Sequence, residues 1–368
     1  MKIFSTPSGL VLVHPRASQI IKDLSLYDVS VSYEGLGSPV SATGIFEWVA
    51  EEIERVLQAD WGRYLSSGTS SANQTIMHFL RRIKRRKILL QDSSHKSILE
   101  AIAVFGGLEI EFIDVNLIPE FDAVMPPTVT QIEEAIKKNR DAQAIILASP
   151  AYDLAYYKDY RKIADIAHDN GMLLIVDAAW DHPPNLSRIL IEGADIVVNS
   201  AHKMVGALQG ASMIGIRDHG MLKRREFEIL EECWKISLGT SPSYPIIISI
   251  GATLEILRKE PQLLDLPGRF IRELGEKLEK AGIKTLNRSI LPKQLKRELK
   301  LDGWKLHAKT TISGNKIKRK CEEKFDIVLE KAGPNHVQLI GTFREILKKD
   351  IKELAREVSN AIINSHYC

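Results

Sequence analysis

Apolar positions along the chain keep two rhythms. Short β-branched or leucine-rich runs at 88–91, 108–113, 144–148, 172–176 and 194–198 are too short for helices and read as strands buried on both faces. Between them apolar residues fall three and four apart, as in Ile45, Trp48, Val49, Ile53, Val56 and Leu57. This spacing predicts helices over 45–57, from the Gly68 region through Leu80, over 129–138 and over 157–169. Strands alternating with such helices predict a mostly parallel sheet with helical crossovers, an α/β fold. Beyond about residue 256 the rhythm changes: helices over 263–281 and 345–363 flank strands over 304–312, 325–330 and 337–340, a smaller α+β unit. The domain reading is an amino-terminal segment, 1–60, packing on the main body, a large domain, 61–255, and a small C-terminal domain, 256–368. The amino-terminal segment says least. Gly9-Leu10-Val11-Leu12-Val13-His14-Pro15 reads as a short strand and Gly35-Leu36-Gly37-Ser38-Pro39 as a turn.

Open α/β sheets place ligands beyond the carboxyl ends of their strands, so the residues there carry the candidate chemistry. Ile196-Val197-Val198 ends in the polar hook Asn199-Ser200-Ala201-His202-Lys203. A lysine in a partly desolvated cleft loses pKa and becomes an amine nucleophile that forms a Schiff base with an aldehyde, pyridoxal 5′-phosphate (PLP) being the common biological one. Alone, Ser-x-His-Lys reads as the site of an ordinary surface lysine. A second apolar strand ends in Asp177-Ala178-Ala179-Trp180, and a PLP lysine wants such an acidic partner for the pyridinium nitrogen, on a neighbouring strand end. Asp177 alone reads as a cap after a strand; the pair is far more specific than either member. Ser67-Gly68-Thr69-Ser70 opens a helix, where free N–H groups and a glycine suit a phosphate, although plain N-capping explains the hydroxyls as well. His95, in Ser94-His95-Lys96-Ser97, also begins a helix, where capping is the ordinary role.

Taken together these motifs resemble the fold-type I PLP enzymes, and within them the bacterial ornithine/lysine/arginine decarboxylase family, whose strand ends read Asp-x-Ala-Trp or Asp-x-Ala-His and Ser-x-His-Lys. Ser67-Gly68-Thr69-Ser70 is similar to the family's Asn-Gly-Thr-Ser, His95-Lys96-Ser97 to its Cys-His-Lys-Ser, Thr240-Ser241-Pro242-Ser243-Tyr244 to its Thr-Ser-Pro-Ser-Tyr, and Asp302-Gly303-Trp304-Lys305-Leu306 to its Asp-Pro-Thr-Lys-Leu. The resemblance runs from about residue 60 to the end. It implies a PLP-dependent transferase-like, three-layer large domain with a small α+β C-terminal domain. It further implies a Schiff base on Lys203, Asp177 on the pyridinium nitrogen, Ala179 on the ring face, Trp180 beside it and His95 stacked over it. Gly68, Thr69, Ser70, Ser200 and His202 would hold the phosphate, and Lys203 or His202 would return a proton to the substrate. Ser241 would reach the phosphate of a neighbouring subunit, giving a homodimer with shared active sites; alone, its segment is a Ser/Pro turn. Departures are Ser67 for asparagine, Ala151 for a hydroxyl residue, Leu154 for glycine, the run Asp181-His182-Pro183-Pro184, to which no role is assigned, and the lack of a His-x-Pro-Gly-His-Lys element and of the extra C-terminal domain of long members.

The implied activity is PLP-dependent decarboxylation of a basic or related α-amino acid. An aminotransferase or another fold-type I lyase is the alternative, and a transaminase would clamp the substrate carboxylate with an arginine, for which Arg344 is the candidate. A non-catalytic regulatory homologue is a further one. Composition adds little. A net charge of +3 defines no partner, and the basic runs 81–87 and 316–320 read as solvated helix ends rather than a nucleic-acid surface. No apolar run is long enough for a membrane span or a signal peptide. Cys233, Cys321 and Cys368 lack metal-ligand spacing, so no metal and a reduced cytoplasm are expected.

Overall fold

The computed structural model describes residues 1–5, 9–25, 35–150 and 154–367. Seven strands form the central sheet: β1 (Trp61–Leu65), β2 (Lys87–Gln91), β3 (Glu109–Ile113), β4 (Ala144–Ala148), β5 (Leu173–Asp177), β6 (Ile196–Asn199) and β7 (Ser212–Ile216). Their order is β1-β7-β6-β5-β4-β2-β3, with β7 antiparallel to both neighbours and the rest parallel. Every residue of β5, β6 and β7 is buried, as strands covered on both faces must be. Helices α1 (Ile45–Leu57), α2 (Gly68–Arg82), α3 (Lys96–Phe105), α4 (Val129–Lys138), α5 (Arg161–Asp169), α6 (Pro183–Ile191), α7 (Arg224–Leu238) and α8 (Tyr244–Lys259) form the outer layers, α2 packing on α3 and α7, and α1 on α6 and α8. The chain thus has the three-layer fold-type I architecture, and β4, β5 and β6 all end at one edge.

The C-terminal layer is built on an antiparallel sheet in the order β8-β10-β9, from β8 (Lys305–Lys309), β9 (Lys331–Ala332) and β10 (His336–Ile340). Helices α9 (Asp265–Lys280), α10 (Gly314–Phe325) and α11 (Ile351–Tyr367) close over it, around a separate apolar cluster that includes Phe270, Leu274, Ile317, Leu339 and Val358. The amino-terminal segment is divided between the two cores. Lys2–Phe4 pairs in parallel with Ile327–Leu329, and Phe4 stacks on Phe270 at 5.2 Å, whereas Leu10 and Phe46 join the large core. Packing on the main body alone is therefore not what this segment does.

Other expectations also shift. Leu10–Val13 is helical, not a strand, and Pro15–Ser25 continues as a helix; an apolar run this short carries no decisive period. Tyr157 ends a strand, Ala155–Tyr157, paired with Leu299–Leu301, and the helix expected from it begins at Arg161. The final helix is broken after Ile346 and restarts at Ile351. The run 316–320 lies early in α10, not at a carboxyl end, so the helix dipole does not explain it. In the run 81–87, Arg85 is structural: its guanidinium donates to the carbonyls of Gln143, Gly171 and Met221 at 3.1, 2.9 and 3.0 Å. Among the described residues no helix is long and apolar enough to cross a membrane.

Candidate active site

Parallel pairing sets Asp177 opposite both Ala148 and Val198, so the ends of β4, β5 and β6 are level. Beyond them opens a cavity of about 560 Å³, within the usual size of small-molecule sites, whose walls include Gly68, His95, Asp177, Trp180, His202 and Lys203. Lys203 stands in a turn of π-helical type, Ala201–Val205, closed by Gly206 at φ 95°. Turns of this type are rare and are frequent at functional sites. Its Nζ lies 4.1 Å from the centroid of the Trp180 indole. Burial pushes the amine down from its ordinary value to about 8, against the pull of the Asp177 and Glu330 carboxylates, and the nearby Lys305 charge adds to the lowering.

Asp177 is held from two sides: the Ala179 amide donates to Oδ1 and the Asn73 side-chain amide to Oδ2, both at 3.1 Å. Asn73 also donates to Ser97 Oγ at 3.0 Å. Ser97 in turn contacts His95 Nδ1 through its hydroxyl at 2.8 Å and its amide at 3.2 Å, so His95 caps α3 with its side chain while its exposed ring borders the cavity. At the other end of the cavity α2 begins. Gly68 has φ +76°, and a Cβ there would meet nothing within 4 Å, so the glycine leaves a gap where a ligand can approach backbone. Thr69 Oγ1 and Ser200 Oγ are hydrogen-bonded to each other, joining the start of α2 to the end of β6. His202 donates from Nδ1 to the Ala211 carbonyl at 2.8 Å, and burial lowers its pKa.

Residues 20–276 match the Orn/Lys/Arg decarboxylase major domain. The chain belongs to the Orn/Lys/Arg decarboxylase family. Among curated relatives, an arginine decarboxylase of Bacillus subtilis (strain 168) is 24% identical over 326 residues, covering 86% of this chain and 65% of that protein. The constitutive lysine decarboxylase of Escherichia coli (strain K12) is 27% identical over 258 residues, covering 64% and 34%. The chain thus spans less than two thirds of these relatives' length. The lysine decarboxylase LdcF of Francisella novicida superposes with a TM-score of 0.74 at 19% identity, covering 92% of this chain and 52% of that one. A serine palmitoyltransferase (SPT) solved with PLP reaches 0.74 at 13% identity, covering 99% and 87%.

This Orn/Lys/Arg decarboxylase family member brings Gly68, Thr69, Ser70, His95, Asp177, Ala179, Trp180, Ser200, His202 and Lys203 to one cavity. Ser241, expected to serve a neighbouring subunit, and Arg344, the candidate clamp of the alternative reading, both lie outside this cavity. Ser241 is exposed on the turn between α7 and α8, outside the lining. Arg344 leans on Gly9 and lies 3.7 Å from Glu345, also outside it, because Phe343, next to it, is drawn into the core against Trp304. Ala151, Tyr152 and Asp153 lie outside the described residues. Leu154, expected to stand in place of a glycine, has a φ of 137° with its side chain buried, a strained backbone for a leucine. Pro183, in the run left without a role, is in the first turn of α6, where its missing N–H costs nothing.

The sequence reading gave no role to several residues in or behind the site. Asn73 stands one turn beyond Thr69 on the same face of α2, and that i,i+4 spacing of buried polar residues was the available signal. Lys305 and Asp302 form a buried ion pair at 3.1 Å, and Lys305 Nζ reaches the Trp180 carbonyl at 3.5 Å. Asp181 is fully buried near Asp302; burial, and then the Asp302 charge, raise its pKa to about 8. His182 stacks on Trp304 at 4.8 Å, so the unassigned run beside Trp180 seals the large domain against the C-terminal layer.

Proposed function

We propose that this chain is a PLP-dependent decarboxylase of a basic or related α-amino acid, working through Lys203. The observation that carries the reading is the pairing of an amine lowered to about 8 with a carboxylate at the neighbouring strand end, across a cavity with a helix N-terminus on its far side.

The donor set fits PLP. Asp177 would hold the pyridine nitrogen, the start of α2 with Thr69, Ser70 and Ser200 the phosphate, and Lys203 Nζ the aldehyde carbon. His202 faces the cavity with Nε2, since Nδ1 is spent on Ala211, and a phosphate placed there favours its charged, donating form. When bound, PLP supplies an electron sink for charge left at the substrate Cα. The chain's residues do the rest. Trp180 covers Lys203 and excludes water, and Asn73 and Ala179 keep Asp177 aimed. Lys203 Nζ would hold the proton that returns to the substrate Cα. Arg344, the candidate for the carboxylate clamp of an aminotransferase, lies outside the lining, which favours decarboxylation. Ser241, exposed beside the start of α8, would serve the cavity of a second copy in a homodimer.

The test is spectral and chemical. Purified protein with PLP should show a visible band abolished by borohydride, with the label on Lys203. Among basic amino acids, one should then release carbon dioxide and the matching amine in equal amounts. An oxo acid with pyridoxamine phosphate would overturn the decarboxylase reading, and a colourless protein would overturn the cofactor.

A further inference from the structure

The geometry points to Asn73 and Ser97 as positioning residues that join Asp177 to His95 through a hydrogen-bond relay running outward from Asn73, which fixes His95 as the Nε2–H tautomer and so as a donor to an acceptor oxygen of the bound amino acid, not a base. The direction of each bond follows from what each group can give. Asn73 Nδ2 has two hydrogens, and both are used, one toward Asp177 Oδ2 at 3.1 Å and one toward Ser97 Oγ at 3.0 Å. With an incoming hydrogen bond from Asn73, Ser97 Oγ has its own hydrogen left to give, and His95 Nδ1 at 2.8 Å is the partner that can take it. The Ser97 backbone amide, which only donates, points at the same nitrogen from 3.2 Å. A proton on Nδ1 would face that N–H and strand the serine hydroxyl. Asn73, Ser97 and Asp177 are 4%, 1% and 5% exposed, so no solvent relieves a reversed bond.

The neutral imidazole therefore carries its hydrogen on Nε2, the edge turned away from α3. A ring so held presents a donor at that edge. The identity of the acceptor rests on the proposed function; the tautomer and the relay do not.

The experiment is two-bond ¹⁵N–¹H correlation NMR on histidine-labelled protein at neutral pH, before and after PLP is added, with His95 assigned by His95→Gln. Expected is a His95 pattern with hydrogen on Nε2 and a bare Nδ1. In Ser97→Ala and Asn73→Ala the two nitrogen shifts should draw toward each other as the relay is cut, and Ser97→Thr, which restores the hydroxyl, should return them. A wild-type pattern with hydrogen on Nδ1, or shifts in the two alanine variants that coincide with wild type, would overturn the relay. The wild-type reading needs no variant to fold, and the PLP-free sample separates failure of the relay from failure of the cofactor reading.

Discussion

Replacing Trp180 by alanine tests how the chain activates Lys203. The drop from the ordinary lysine value of 10.5 to about 8 raises the neutral amine at pH 7 from about one in 3,000 to about one in ten, roughly 300-fold. That difference is about 3 kcal/mol between the two protonation states. Two effects of the indole oppose each other. Its face attracts an ammonium by about 1–2 kcal/mol at 4.1 Å, which favours the charged form. Its bulk keeps water out, which favours the neutral form, and since burial is the largest cause of the downward displacement of Lys203, the loss of that cover is expected to outweigh the loss of the attraction. Trp180→Ala is therefore expected to move Lys203 back up by about one unit, a tenfold loss of reactive amine at pH 7. The assay is the pH dependence of Lys203 labelling by trinitrobenzenesulfonate in PLP-free protein, read by peptide mapping. Wild type should titrate near 8 and Trp180→Ala near 9, with Trp180→Phe between. A wild-type midpoint at 10.5, or a Trp180→Ala midpoint below wild type, would refute the reasoning.

Three further outcomes follow from the same structure. Because the folded chain holds Lys203 as the neutral amine from about pH 8 upward while the unfolded chain stays protonated up to 10.5, stability rises with pH through that window; Lys203→Met should flatten the rise and melt higher than wild type at pH 7 in thermal scans. Asp302→Asn leaves the buried Lys305 ammonium without its partner at 3.1 Å, a loss of about 3–5 kcal/mol by urea titration, lessened where Asp181, freed of the Asp302 charge, ionises in its place. Gly68→Ala meets no neighbour but must hold φ +76°, at about 1–2 kcal/mol, so a protein still folded with PLP affinity lowered at least tenfold is expected in absorbance titrations; unchanged affinity would remove α2 from the phosphate site.

The large domain was legible because its strands are apolar throughout and its helices periodic: α1, α4 and β4 stand where the spacing predicts them. The amino-terminal strand was not legible, since Lys2–Phe4 is a strand only because Ile327–Leu329 lies beside it. At the site, Lys203 and Asp177 were visible as polar residues closing apolar runs. The relay was hidden because Ser97 and Asn73 read as ordinary helix-start and helix-face residues, and only burial makes their hydrogens count.

The sequence by itself determined the local grammar: which runs pair as strands, which segments coil, and which polar groups stand at strand ends, all properties of neighbours along the chain. The tertiary structure alone decided what those groups are. It buried Lys203 against Trp180, set Lys305 and Asp302 behind it from the C-terminal layer, and closed Asp177 to His95 through Asn73 and Ser97. The reason is physical: the charge an amine carries and the direction a hydrogen bond takes depend on water being absent, and water is removed by residues far apart in sequence.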